Sequence, residues 1–240
     1  MAFDVPGGSR FVVAGSGKIA DMLAGALCSR GVNAQRAVRG GYAALVNLYA
    51  GEADAAVVNL YDQASNTWNT PYVRNLAPGS SVVVFRLVNY RVGFAVAAGN
   101  PKKIRTWGAL LHEGVVLANR TKGSGARVLL DEKLRAMDAR AENITGYTAK
   151  AFAGTEAVLR VAKGMADVAI ANEGEVAGVD GVEFVPLAAA SVDVVVRKVP
   201  ETRAVIRQLK ELFASESFAR EVKALGNCDP SRLGVIVYES

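Results

Sequence analysis

The chain has 240 residues, of which 51% are hydrophobic, and this length allows one large domain or two lobes of about 100 to 130 residues each. Its 28 basic and 23 acidic residues give a formal net charge of +5, and no basic run with interleaved aromatic residues indicates nucleic-acid binding. Cys28 and Cys228 belong to no CxxC or Cys/His pattern, so we expect no zinc site, no disulfide framework and no other metal or cofactor.

Strands and helices alternate through the first part of the chain. The apolar pattern predicts, in order, a strand over 10–14, a helix over 18–29, a strand over 32–38, a helix over 42–50 and a strand over 55–59. Glycine turns at Gly15-Ser16-Gly17 and Gly40-Gly41 separate them, and a polar loop is predicted over 60–75. This α/β alternation is typical of a doubly wound, mostly parallel sheet whose ligand crevice lies at the carboxyl ends of the strands.

The rest of the chain predicts a second lobe and a return to the first. Two β-rich runs cover 81–87 and 90–98, and the second is interpreted as the crossing between lobes. Further elements are predicted as helices over 106–111, 126–139, 155–163, 201–214 and 217–225, and as strands over 115–118, 167–171, 182–186 and 191–197, the last being the return crossing. We therefore assign 1–92 plus 190–240 to lobe I and 93–189 to lobe II, with the ligand cleft between them.

One stretch, Asn119 to Arg127, combines the features of an anion site. It is predicted to leave a strand, pass through the turn Gly123-Ser124-Gly125 and open a helix, whose first N–H groups lack intrahelical partners. Ser124 adds a hydroxyl, and Arg120, Lys122 and Arg127 raise the local positive potential. The same residues would also fit a capped helix after a surface turn. The spacing is not that of a nucleotide P-loop.

The two predicted lobes contain a short internal repeat. Gly51 to Asn59 and Gly164 to Asn172 share a Gly-x-Ala-Asp-x-Ala pattern and a terminal Asn, and each follows a Gly-Ser-Gly turn along the chain. We interpret the repeat as a duplicated lobe, with chance as the alternative because small residues are frequent. Asp54 and Asp167 could be taken for paired catalytic carboxylates, but their turn context favours structural hydrogen-bond acceptors.

These motifs, taken together, resemble a type II periplasmic-binding-protein fold. More narrowly, the chain resembles the periplasmic-binding-protein-like domain associated with molybdate-responsive regulators and molybdopterin biosynthesis proteins. The resemblance is carried, along nearly the whole chain, by Gly15-Ser16, Gly40-Gly41, 51–54, 69–74, 90–93, 99–101, Asn119-Arg120, 123–127 and 229–234. One departure is Ala126, where such sequences often carry Thr.

The resemblance implies a two-lobed, non-catalytic receptor that closes over a tetrahedral oxyanion, with molybdate or tungstate as the expected ligand. One helix N-terminus from each lobe would face the anion. The residues predicted to bind it are Ser16, Gly17, Gly41, Asn69, Arg120, Thr121, Ser124, Gly125 and Arg127. There are two alternatives: an accessory protein of molybdenum or tungsten cofactor assembly, and a receptor for a small organic anion. In the second, Tyr42, Trp68 and Tyr72 would form an aromatic wall, although they would equally suit a core.

The sequence offers little for catalysis. His112 is the only histidine, predicted at a helix end on the surface, and there is no Ser-His-Asp order or nucleophile elbow. The expected partner is the small anion, and we expect no nucleic-acid partner and no membrane span. A protein partner that responds to ligand occupancy is left open. No charged start followed by an apolar core opens the chain, so we expect a cytoplasmic protein or an exported one whose signal has been removed.

Overall fold

A computed structural model describes residues 10–240 of the chain. Its strands are β1 (Phe11–Gly15), β2 (Ala34–Val38), β3 (Ala55–Val58), β4 (Tyr61–Asp62), β5 (Thr67–Trp68), β6 (Val82–Ala97), β7 (Leu117–Ala118), β8 (Val168–Asn172), β9 (Val182–Arg197), β10 (Cys228–Asp229) and β11 (Ile236–Glu239). Its α-helices are α1 (Lys18–Ser29), α2 (Gly41–Tyr49), α3 (Thr70–Leu76), α4 (Gly125–Ala136), α5 (Gly154–Ala162), α6 (Glu173–Val176), α7 (Arg203–Phe213) and α8 (Glu216–Ala224). Within this part of the chain, no helix has the length and apolar character needed to cross a membrane.

A single large sheet runs through the protein in the order β2-β1-β3-β9-β6-β8-β7. The outer pairs β1–β2, β1–β3 and β7–β8 are parallel, whereas the two central 16-residue strands β6 and β9 pair antiparallel along their whole length. Because β6 and β9 belong to both ends of the sheet, they connect a half built on β1–β3, called lobe I, to a half built on β7 and β8, called lobe II.

The continuous central strands differ from the separate runs predicted from the sequence. The predicted breaks near residues 88 and 187 are irregularities in register, between Arg86 and Val88 and between Val92 and Gly93, and the ladder continues across them. The predicted polar loop over 60–75 is also structured, because it contains the β4–β5 hairpin and α3. Local polarity favours a loop at these positions. In β6 and β9 the pairing with a long neighbouring strand overrides it, and in 60–75 the two short strands β4 and β5 pair with each other.

The apolar side chains form separate cores on the two sides of the cleft. Phe85, Leu23 and Leu209 belong to a lobe I core, whereas Phe94, Leu117 and Leu130 belong to a lobe II core. Tyr61 and Trp68 of the β4–β5 hairpin pack with the lobe II core, although the predicted boundaries assign residues 1–92 to lobe I. The boundaries at 92/93 and 189/190 stay a prediction, and residues 1–9 lie outside the described part of lobe I.

The internal repeat has the same hydrogen bonds in both lobes. The Asp54 carboxylate accepts the N–H of Val12 at 2.8 Å, and the Asp167 carboxylate accepts the N–H of Val116 at 2.8 Å. Each carboxylate also forms an ion pair, with Arg197 at 3.0 Å and with Lys102 at 2.7 Å respectively. The predicted structural role of both aspartates is therefore confirmed.

Candidate functional site

The two lobes touch each other at two helix N-termini. The Tyr42 N–H, in the first turn of α2, donates to the carbonyl oxygen of Gly123 at 3.1 Å, just before α4 begins. A Cβ placed on Gly40 would lie 2.9 Å from that same oxygen, so only glycine permits this approach. The α4 turn therefore meets α2, not α1, and the two lobes are closed on each other.

Asn59 extends the lobe I side of the contact from the end of β3. A Cβ on Gly125 would lie 2.3 to 2.4 Å from three atoms of its side-chain amide, so the amide lies directly against the α4 N-terminus. Its Nδ2 donates to the hydroxyl of Tyr90 on β6 at 3.0 Å. Burial raises the pKa of Tyr90 to about 12, so this hydroxyl is neutral and keeps its own hydrogen to donate.

Arg120 supplies a positive charge from lobe II. Its Nε donates to the carbonyl oxygen of Ala151 and its Nη2 to that of Phe152, both at 3.2 Å, which fixes the guanidinium beside the N-terminus of α5. Burial lowers the pKa of Arg120, and the negative charges of Glu175 and Glu156 oppose that shift. Among the ion pairs formed within residues 10–240, none includes Arg120, and its Nη1 makes no hydrogen bond to a described residue.

Glu175 places a carboxylate beside this guanidinium. One of its oxygens, Oε2, accepts the Asn172 N–H at 3.0 Å, and the Asn172 side chain accepts the Glu175 N–H at 2.9 Å, so the two residues form a capping box on α6. The other oxygen, Oε1, lies over Gly154 at the start of α5, where a Cβ would come within 1.9 Å of it. Burial raises the pKa of Glu175, although the Asn172 N–H, Arg120 and Lys18 lower it.

The structure locates the remaining predicted site residues as follows. Ser16 and Gly17 are exposed in the β1–α1 turn, where Gly17 precedes the helix with a φ of +92°. Gly41 and Gly125 are buried first residues of α2 and α4 on the cleft. Ser124 is the α4 N-cap, its hydroxyl accepting the Arg127 N–H at 3.4 Å, and the Thr121 N–H donates to Ala151 at 3.2 Å.

Asn69 and Arg127 both have partners within the protein. Asn69 is fully buried; its Oδ1 accepts the Leu60 N–H at 2.6 Å, and its Nδ2 donates to Asp193 at 2.7 Å. The Arg127 Nε donates to Asp131 at 2.9 Å, and its guanidinium stacks 4.0 Å from the ring centroid of Tyr147. Burial lowers the pKa of Arg127, but the bonds to Asp131 and Tyr147 outweigh it and raise the pKa. These two side chains therefore hold the fold around the cleft.

The three aromatic residues considered for a ligand wall do not act together. Trp68 packs on Tyr61 with ring centroids 5.2 Å apart, and its Nε1 donates to Ala189 at 3.1 Å, so it belongs to the core. Tyr42 and Tyr72 form a separate edge-to-face pair at 6.3 Å. His112 is exposed after the 3-10 turn Trp107–Leu111, as predicted for a surface residue.

Sequence reasoning did not select three residues that the fold brings to the cleft, namely Asn59, Tyr90 and Glu175. Two signals were available for them. The internal repeat ends on Asn59 and Asn172 at the carboxyl ends of β3 and β8, which are the ends that face a crevice. Asn172 and Glu175 also have the spacing of a capping box. Tyr90 lies in the middle of a long strand, and although 90–93 belongs to the resemblance, no motif there assigns the Tyr90 side chain to the site.

Comparison with known proteins identifies the fold. A sequence profile described as the PBP superfamily domain matches residues 24–214. The uncharacterized protein YvgK of Bacillus subtilis (strain 168) is 31% identical over 205 residues, and the match covers 85% of this chain and 66% of that protein. This chain thus spans a little under two thirds of its relative.

Two solved structures with the same architecture are of proteins named for sulfate and for molybdenum. The sulfate-binding protein SubI of Mycobacterium tuberculosis H37Rv has a TM-score of 0.62 and 16% identity, covering 92% of this chain and 86% of that chain. The substrate binding domain assigned to a molybdenum ABC transporter of Clostridium difficile has a TM-score of 0.53 and 14% identity, covering 92% and 98%. The predicted two-lobed periplasmic-binding-protein-like fold is confirmed.

Proposed function

Because this chain belongs to the periplasmic-binding-protein (PBP) superfamily, we propose that it is a non-catalytic binding protein for a small tetrahedral oxyanion held in the cleft. The ligand would lie between the N-termini of α1 and α2 in lobe I and those of α4 and α5 in lobe II. Helix N-termini attract anions because their first N–H groups lack partners and the helix dipole is positive there.

The observation that carries the proposal is the state of Arg120. Its guanidinium is held by two backbone carbonyl oxygens at 3.2 Å, has no carboxylate within ion-pair distance among the described residues, and keeps Nη1 available. Placing a cation away from water without a counter-ion is costly. A bound anion would supply the missing charge through a charge-assisted hydrogen bond.

The proposed contacts are mostly backbone groups. Backbone N–H groups of Gly17, Gly41 and Gly125, together with the hydroxyls of Ser16 and Tyr90, would complete the shell around Arg120, whereas the Thr121 N–H already donates to Ala151. Ser124 contributes through its cap of α4, and Asn69 and Arg127 contribute by positioning the cleft walls.

Molybdate and tungstate are the ligands implied by the family resemblance, and the structural likeness to a molybdenum transporter domain and to a sulfate-binding protein supports oxyanions of that shape. A small organic anion is the second candidate. It is favoured by one observation, the acidic Glu175 close to Arg120, because a zwitterion would pair with both charges.

The test is the change Arg120→Ala, measured by calorimetry with molybdate, tungstate, sulfate and phosphate. We expect any anion that binds the wild type to bind the variant about 10- to 100-fold more weakly, because a hydrogen bond to a charged group contributes about 1.5 to 3 kcal/mol. Arg140→Ala is the matched control. Arg140 pairs with Glu142 on the surface, and its substitution removes the same charge from the protein. Equal affinity in Arg120→Ala and wild type would remove Arg120 from the site, and no binding by the wild type would reject oxyanion binding.

A further inference from the structure

A buried polar cluster lies where β6 and β9 pass from the lobe I core to the lobe II core. The Asp193 carboxylate on β9 is fully buried and pairs with Arg86 on β6. The Nη1 of Arg86 donates to the Asn89 side-chain oxygen at 2.8 Å, and the Ser191 hydroxyl donates to the same oxygen at 3.0 Å. These four residues, called the Asp193 cluster, lie beside the register irregularity that begins at Arg86. Side-chain bonds thus join the two strands where their ladder is irregular.

The β4–β5 hairpin is bonded to the Asp193 cluster through Asn69. At the base of the hairpin, the Asn69 Oδ1 accepts the Leu60 N–H at 2.6 Å, and the Asn69 N–H donates to the Leu60 carbonyl oxygen at 2.7 Å. The Nδ2 of Asn69 donates to Asp193 at 2.7 Å and to the Ser191 carbonyl oxygen at 3.3 Å. Asn69 has a φ of +65°, which asparagine adopts more readily than most residues. One side chain therefore closes the hairpin and joins it to β9.

The hairpin in turn holds α4 of lobe II. The Gln63 N–H donates to the Glu132 carboxylate at 3.0 Å, and the Lys133 ammonium donates to the Tyr61 hydroxyl at 3.0 Å. The N-terminus of the same helix meets α2 at the contact between the lobes. A continuous series of contacts thus runs from the Asp193 cluster through the hairpin and α4 to the place where the lobes touch.

We propose that Asn69 is a positioning residue for lobe closure. Its bond to Asp193 fixes the direction in which the hairpin leaves β9, and the hairpin holds α4 against α2. A ligand that needs both lobes binds only the closed state, so a loss of this bond lowers the affinity for every such ligand by the same factor. Closure can be measured without any ligand, so this inference goes beyond the proposed anion.

The experiment measures amide hydrogen exchange by NMR in the ligand-free full chain and in Asn69→Gly. Glycine accepts the positive φ and removes the bond to Asp193. The Tyr42 N–H lies in the first turn of α2, where the helix offers it no partner, so its protection depends on Gly123 across the contact. We expect it to exchange about tenfold faster in the variant relative to the Ala50 N–H, which is bonded within α2 at 2.9 Å, because the lost hydrogen bond is to a charged group.

Asn100→Gly is the matched control. Asn100 is buried and has a φ of +44°, and its side chain forms two bonds with Ile104, at 2.8 and 3.0 Å, within lobe II. The control should lower the free energy of unfolding and leave the exchange of Tyr42 unchanged. Asp193→Asn is a second variant that leaves Asn69 intact, for use if Asn69→Gly fails to fold. Its amide oxygen can face Arg86, but its NH2 group then meets the Asn69 donor, so the same faster exchange is expected. Circular dichroism checks the folding of each variant.

Calorimetry with phosphate and sulfate adds a readout that a purely structural bond would not change, because a small rise in the unfolded fraction leaves the dissociation constant unaltered. Whichever of the two anions binds the wild type should bind Asn69→Gly about tenfold more weakly. Wild-type exchange of Tyr42 in the folded variants, equal acceleration in Asn100→Gly, or unchanged affinity in Asn69→Gly would overturn the role of Asn69 and leave oxyanion binding intact. Faster exchange in Asn69→Gly, with a wild type that binds no oxyanion, would keep the role of Asn69 and reject oxyanion binding.

Discussion

The contact between Asn59 and Gly125 allows lobe closure to be tested with a single methyl group. Gly125 is the first residue of α4 and its φ is not positive, so alanine suits the helix and would stabilise it by up to about 1 kcal/mol. However, the new Cβ would lie 2.3 to 2.4 Å from the Asn59 amide. Either Asn59 turns away and loses its 3.0 Å bond to Tyr90, or the lobes separate at Tyr42 and Gly123.

Each route loses one hydrogen bond, which costs about 0.5 to 1.5 kcal/mol. This cost offsets the gain in helix stability, so the change in the free energy of unfolding should be close to zero. If the lobes separate, anion affinity should nevertheless fall by about tenfold, because about 1.4 kcal/mol of closure energy is a factor of ten in the population of the closed state. Calorimetry with the anion that binds the wild type measures the affinity, and X-ray scattering measures whether the chain expands.

The matched control is Gly25→Ala in α1, where a Cβ meets nothing within 4 Å. It should raise stability by about 0.5 to 1 kcal/mol and leave affinity unchanged. The double variant Gly125→Ala with Asn59→Ala removes the clashing amide, so it should bind more tightly than the product of the two single effects predicts. Wild-type affinity in Gly125→Ala, or zero coupling in this cycle, would refute the closure contact.

Two further predictions concern stability. Asp54→Asn and Asp167→Asn should each lower the free energy of unfolding, measured in urea, by about 1 to 3 kcal/mol, because each loses a charge-assisted bond to a backbone N–H. Values near that of the wild type would contradict the structural role that the two aspartates share. Burial raises the pKa of Tyr90 to about 12 from 10.0, so the folded state keeps a proton that the unfolded state releases. Stability should therefore fall between pH 10 and 12 by about 3 kcal/mol. Tyr90→Phe should remove that part of the alkaline loss, and an identical alkaline profile in the variant would show that Tyr90 is solvated.

The sequence predicted the parts of the fold that depend on local periodicity. The elements around Leu23, Leu45 and Leu130 are helices because apolar residues recur on one face, and the structure confirms them. The continuity of β6 and β9 was not predictable from the same signal. Polar residues such as Asn89 and Ser191 interrupt the apolar pattern, but they pair with each other across the two strands, where the Ser191 hydroxyl donates to Asn89 at 3.0 Å.

The candidate site was predictable only in part. Arg120 and the glycine turn of α4 were identified because they are adjacent in sequence and share a helix N-terminus. Tyr90 and Glu175 are more than 80 positions apart, and only the antiparallel pairing of β6 with β8, with Val92 opposite Asn172, brings them to one cleft. A prediction from short motifs cannot find a site whose members meet through sheet register.

The duplicated scaffold explains why the two lobes contribute different chemistry. Asp54 and Asp167 accept the N–H groups of Val12 and Val116, and the strands that follow them, β3 and β8, lead to Asn59 and Asn172. In lobe I the terminal Asn contacts Gly125 of lobe II and donates to Tyr90, so this lobe supplies neutral groups whose contacts form when the lobes close. In lobe II the terminal Asn is held in a capping box, and Glu175 takes the position at the cleft instead. The charged neighbours Arg120 and Glu175 therefore both lie in lobe II, and variants at Asn59 should change affinity for all anions alike.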